Sequence, residues 1–278
     1  MNHLKQMKTS NLVVLLIFFL VFNNLMAQEF QGIATYKSHR KVDLKMDDEN
    51  ANSEMQKSIQ AQLSKQFQRE YTLKFNKNES IYEQEEKLDA PMPAQSGFII
   101  KVSQSSGVLY KNIKENRFAD KSEIYGKVFL IKDSLKNKKW ELVNDTKNIG
   151  TYTCFKATYT EDYETQTLNN NGKFEDTTQT RTITAWYAPQ IPVSNGPSGY
   201  FGLPGLILEV NDGKLILICN KIVINPKESF TIEEPTKGKM VTQKEFDAVM
   251  DKKFAEMMEQ FRSKRGRKGD NVVIKISG

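Results

Sequence analysis

Histidine is almost missing from this 278-residue chain: it has two, His3 and His39. His3 falls in a segment read below as removable, and one remaining imidazole cannot build a nucleophilic triad by the usual route or begin a zinc set without a cysteine or second histidine near it. The chain also has no G-x-S-x-G elbow, no P-loop and no dinucleotide fingerprint. The residues therefore suggest no cofactor, no metal and no assignable catalytic group. Carboxylates are plentiful at 34, yet Glu85-Glu86 and Glu233-Glu234 sit in charged segments that read as solvated faces. Asp47-Asp48-Glu49 lacks the loop pattern of a calcium site.

Long apolar runs are missing too. The longest, Leu12 to Phe22, follows Lys5 and Lys8 and precedes Leu25-Met26-Ala27. As a helix it would span ~17 Å at about 1.5 Å per residue, too short for a hydrocarbon core of about 30 Å. Residues 1–27 read as a secretory signal peptide cleaved after Ala27, with no cysteine there to carry a lipid. The remaining 28–278 reads as a single β-rich domain, exported to the periplasm or associated with the outer membrane. Only Cys154 and Cys219 are present, and export would place them in oxidising surroundings. A bridge would close a loop of about 65 residues, whereas two buried thiols would pack as small apolar residues; the sequence leaves both open.

Net charge is a mild +6. Arg262, Lys264, Arg265, Arg267 and Lys268 concentrate part of it near the C-terminus. Such a cluster suits a helix end or peripheral contact with an anionic membrane surface, and export argues against nucleic acid as a partner.

Periodicity indicates mostly strands. Phe30 to Val42, Tyr71 to Phe75, Ser80 to Gln84, Gly107 to Ile113, Arg117 to Ile124, Lys127 to Ile131, Lys139 to Val143 and Thr151 to Thr160 are short β-prone runs with brief polar links, a meander pattern. Leu88 to Ser106 reads as loop, Glu161 to Thr178 as a polar excursion within a long hairpin, and Val272 to Ile276 as an edge strand. Two segments read as amphipathic helices: Glu49 to Glu70, with Met55, Ile59, Leu63 and Phe67 on one stripe, and the segment opened by the capping box Thr242-Gln243-Lys244-Glu245. The expected fold is mainly β: a single curved antiparallel sheet, half-barrel or open barrel, with two amphipathic helices packed on it. The alternative is a two-sheet β-sandwich.

The densest local signal is Ala185 to Val210. A strand ending Ala185-Trp186-Tyr187 meets Pro189 and Pro192, which forbid regular pairing. Gly196, Pro197, Gly199, Gly202, Pro204 and Gly205 then crowd ten positions. Leu206 to Val210 and Lys214 to Ile224 flank Asn211-Asp212-Gly213, the strongest hairpin signal in the chain. The loop reads first as a structural corner. A second reading makes Trp186, Tyr187, Tyr200, Phe201, Gly202, Pro204 and Gly205 a recognition surface.

The hexapeptide Gly202-Leu203-Pro204-Gly205-Leu206-Ile207 resembles the signature of the GLPGLI family of exported bacterial proteins, and Gly150 to Ala157 resembles the strand that precedes it there. The resemblance implies an exported protein without an assigned reaction and carries over no catalytic residue. The function expected is a non-catalytic binding or assembly module of the bacterial cell envelope, holding an apolar ligand or a protein partner. The alternatives are a secreted hydrolase using dispersed carboxylates and an envelope structural protein.

Overall fold

The computed structural model describes residues 30–40, 68–85, 107–124, 126–168 and 174–265. Six strands come first: β1 (Gln31–Arg40), β2 (Arg69–Asn76), β3 (Glu79–Gln84), β4 (Val108–Asn112), β5 (Arg117–Ile124) and β6 (Lys127–Ser134). Five follow: β7 (Glu141–Ile149), β8 (Tyr152–Leu168), β9 (Phe174–Ala188), β10 (Leu206–Asn211) and β11 (Leu215–Ile224). A short β12 (Lys239–Val241) leads into helix α1 (Gln243–Arg265).

All twelve strands form one open sheet in the order β12-β6-β5-β4-β3-β2-β1-β11-β10-β9-β8-β7. Two antiparallel meanders are thus joined through β1 and β11, and β12 alone runs parallel to its neighbour. The expected single sheet is present and open: its ends, β12 and β7, pair with different neighbours and not with each other, so it does not close into a barrel. The ladder is continuous, so the sandwich alternative does not hold either.

Local chemistry explains the turns. Asn76 Oδ1 accepts from the N–H groups of Asn78 and Glu79 (2.8 and 2.7 Å), closing the β2–β3 hairpin. Asp212 Oδ1 does the same for Lys214 and Leu215, with Gly213 at φ 91°. The capping box forms as the sequence indicates: Thr242 N–H donates to Glu245 Oε2 at 2.8 Å and Glu245 N–H to Thr242 Oγ1 at 3.3 Å. Helix α1 then lays Phe246 and Val249 on Phe129, Ile131 and Val241.

Two helices were expected, but α1 is the one helix among the described residues. Of the segment from Glu49 to Glu70, residues 49–67 lie outside the described residues. Arg69 and Glu70 belong to β2, where Lys37 faces Glu70 across the ladder and pairs with it at 3.2 Å. The expected loop Leu88 to Ser106 and edge strand Val272 to Ile276 also lie outside the described residues. Arg262, Lys264 and Arg265 fall in the last turn of α1, and Arg267 and Lys268 are outside the described residues.

Next to the join between the meanders, the second meander narrows. β1 and β11 pair along their length, but β10 and β11 share only Glu209↔Ile218, Val210↔Leu217 and Asn211↔Ile216. Tyr36 on β1 donates its hydroxyl to Ile207 O on β10 at 2.7 Å, although β11 lies between them. A flat sheet would hold β1 and β10 about 10 Å apart. The sheet therefore bends at this seam and gathers Tyr36, Leu73, Phe75, Tyr82, Leu206 and Leu208 into one cluster.

Candidate functional site

The segment between β9 and β10 is held by its own backbone. Leu206 N–H donates to Ile191 O (3.0 Å), Ile207 N–H to Asn195 O (2.9 Å) and Tyr200 N–H to Pro197 O (3.1 Å). With its polar backbone satisfied internally, the loop can bury apolar side chains, and Ile191, Val193, Phe201 and Leu203 are all 4% exposed or less. Trp140, just before β7, seals it from outside: its Nε1–H donates to Phe201 O at 2.8 Å, and its ring stands edge-on to Tyr159 at 4.6 Å.

Underneath lies a residue that no sequence pattern singles out. Lys111 on β4 is wholly buried, and its ammonium donates to the carbonyls of Gly196 and Ser198 at 2.7 Å each and of Tyr200 at 3.4 Å. Three carbonyls of one loop thus converge on a single cation. Burial pushes this lysine down to about 7, while charge-assisted bonds to the carbonyls favour the ammonium. Ser198 holds φ 51°, a left-handed conformation that costs a non-glycine residue roughly 1–2 kcal/mol. Beside Lys111, Ser80 donates to Asn195 Oδ1 at 3.3 Å. Lysine in a strand ordinarily reads as a solvent-facing residue, and no local pattern announces partners 85 to 89 positions away.

The residues singled out from sequence divide between core and surface. Tyr187 and Phe201 are 5% and 4% exposed, so Phe201, expected at the surface, is part of the core. Tyr200 is partly covered, and burial raises its hydroxyl to about 12. Trp186 is half-buried on the opposite face, with the Lys147 ammonium 4.5 Å from its ring centre and paired with Glu209 at 2.7 Å. Gly205 is buried, whereas Gly202 and Pro204 reach solvent. Cys154 and Cys219 stand as free buried thiols in one apolar cluster, and burial raises them to about 11 and about 12. Among the described residues no group of three His, Cys, Asp or Glu side chains could hold a metal ion.

One carboxylate departs from the rest. Asp120 on β5 shares its face with Leu109 and Ile131, its cross-strand partners. Burial raises it to about 6. Between its ordinary value of 3.8 and about 6 the folded chain holds a proton that the unfolded chain has lost, so stability falls as pH rises through that window. Asp120→Asn is expected to be neutral below pH 4 and to stabilise the protein at pH 7 by up to about 3 kcal/mol. Denaturant melts at the two pH values check this, and equal stability of both proteins at pH 7 would refute it.

Residues 140–209 match the model of a family described as a protein of unknown function, Porph_ging. The match begins at Trp140 and runs through β7, β8, β9 and the loop into β10. No curated protein matches the chain. Two solved structures of PNGF-II, in C2 and P21 crystal forms, are similar with TM-scores of 0.46 and 0.42, each at 13% identity. They align with 79% and 77% of this chain but 32% and 31% of their own. The chain thus spans about a third of those structures' length, and the likeness is too slight to bear on function.

Proposed function

We propose that this is an exported protein of GLPGLI type, acting as a non-catalytic assembly module of the bacterial cell envelope that takes a protein partner at the β7 end of its sheet. The observation that carries the reading is an exposed apolar group on the last two strands. Leu142, Val143 and Phe155, 65%, 37% and 40% exposed, are three of the five exposed large hydrophobic residues among the described residues. Leu142 pairs with Ala157, two positions from Phe155, so Leu142 and Phe155 share a face. On that face Phe155 pairs with Tyr187 of the strand that enters the loop. Large apolar side chains left exposed beside each other at a sheet edge support an interaction site there.

A protein partner fits better than an enclosed apolar ligand, because Tyr187, Phe201 and Leu203 already fill the core beneath the loop. β7 also ends the sheet, and its outer ladder groups are available for an incoming strand. An irregularity between Val143 and Thr146, together with Glu141, Asp145 and Lys147 along the strand, guards it against indiscriminate pairing.

The test combines a photo-cross-linking residue with a surface variant. A cross-linker at Leu142 is expected to give a discrete product with an envelope protein in cells, and one at exposed Asn220 is not. Leu142→Lys with Phe155→Lys should change stability by no more than about 0.5 kcal/mol per site and abolish that product. Equal cross-linking from Leu142 and Asn220, or a product that survives the double substitution, would sink the proposal.

A further inference from the structure

We infer that Cys154 and Cys219 form a disulfide in oxidising surroundings, and that this bridge staples β8 to β11 across the narrow β10–β11 seam. In sheet order β9 and β10 separate the two cysteines' strands, β8 and β11. Three strand spacings in a flat sheet come to about 14 Å, well beyond the roughly 7 Å between Cα atoms that a disulfide tolerates. The bend at the seam shortens that path. Both side chains belong to the cluster that holds Tyr36, Ala188, Leu206 and Leu208, at 0% and 6% exposure. They are near enough that a charge on Cys154 would act on Cys219, after burial and the contact to Lys221 O.

The backbone around them accommodates such closeness. Beside Cys219 the β1–β11 register shifts between Thr35 and Tyr36, whose partners are Lys221 and Cys219, leaving Asn220 as the extra residue. The β9–β10 register shifts between Ile207 and Glu209. Irregularities of this kind bend a strand and increase its local twist. Here they flank the three pairs that join β10 to β11. The covalent link would enclose β9, the loop over Lys111 and β10, so the strands held to β11 by only three ladder pairs would gain a second attachment to it.

The chemistry is thiol–disulfide exchange. The two thiols lose two protons and two electrons, an Sγ–Sγ bond forms through a mixed disulfide, and the oxidant's own disulfide is reduced to two thiols. Glutathione disulfide serves as that oxidant in the test. Because the cysteines are buried, exchange takes place before the seam closes or during its local opening.

Purified full-length protein is refolded with reduced and oxidised glutathione, denatured, and alkylated without reductant, so the outcome does not depend on export or on a partner. The expected product is a monomer 2 Da lighter than the dithiol, resistant to labelling, with one linked peptide pair holding Cys154 and Cys219. Reduction should shift its unfolding equilibrium by about a thousandfold, and should leave Cys154→Ala and Cys219→Ala unmoved. Full labelling of both thiols after oxidative refolding, or linkage between chains instead, overturns the inference. A bridge whose reduction leaves the unfolding midpoint unchanged overturns the stapling role.

Discussion

Replacing Lys111 with methionine should lower the unfolding free energy by about 2–4 kcal/mol, although methionine is nearly as long and fully apolar. The substitution keeps the packing and removes the one donor that satisfies the Gly196 and Ser198 carbonyls. A buried acceptor without its partner costs about 1–3 kcal/mol, and relief from burying a charge offsets part of the sum. The pH dependence supplies an independent signature. Burial lowers the lysine from 10.5 to about 7, so between those values the unfolded chain holds a proton that the folded chain has released. Wild-type stability should therefore rise with pH across this window relative to the methionine variant. Urea melts at pH 6 and pH 9 measure both effects. A variant as stable as wild type at both values would show that the loop does not depend on this cation.

Gly205→Val should be more damaging still, at about 3 kcal/mol or more, enough to unfold a domain of ordinary stability. A Cβ at this position would lie 2.4 Å from Ala188 O, 2.6 Å from Ala188 C and 2.8 Å from Pro189 N. All three are backbone atoms, and Ala188 is the ladder partner of Leu206, so no side chain can swing aside to make room. Valine would push β9 and β10 apart where the loop is anchored. Gly199→Ala is the matched control: it meets nothing within 4 Å and sits at the surface. Thermal melts of the two variants should differ widely, and equal midpoints would mean that the corner tolerates what its geometry forbids.

How far these features could be read from sequence depended on how local their causes are. The Asp212-Gly213 hairpin and the Thr242–Glu245 cap are made by residues within three positions of each other, and both formed as expected. The meander from β2 to β6 was legible for the same reason. For β7 the sequence indicates a strand ending at Val143, but it runs on to Ile149, because its first six residues are exposed on both faces and leave no alternation to recognise. The polar stretch after Glu161 reads as an excursion within a long hairpin; the hairpin is there but paired to its tip, β8 continuing to Leu168 and β9 starting at Phe174, carried by cross-strand pairs such as Asp162 with Thr180. The loop's glycines and prolines announced a corner. What they could not announce was its anchor, since Lys111 meets those carbonyls only after β4 has been brought beneath the loop.

The pairing of β1 with β11 sets the order in which the molecule can be made. Gly32 faces Ile224 and Arg40 faces Leu215, so the first strand of the sheet finds one of its two neighbours only after nearly the whole chain exists. Each meander can assemble from neighbouring hairpins, and β1 must wait as an unpaired border of the first one. Contacts so distant along the chain slow folding, and a waiting strand border invites the wrong neighbour. Synthesis from the N-terminus therefore exposes this border for the time needed to produce some 180 further residues, at roughly 5–20 residues per second. A chain kept unfolded until its last strand is complete would avoid that interval altogether.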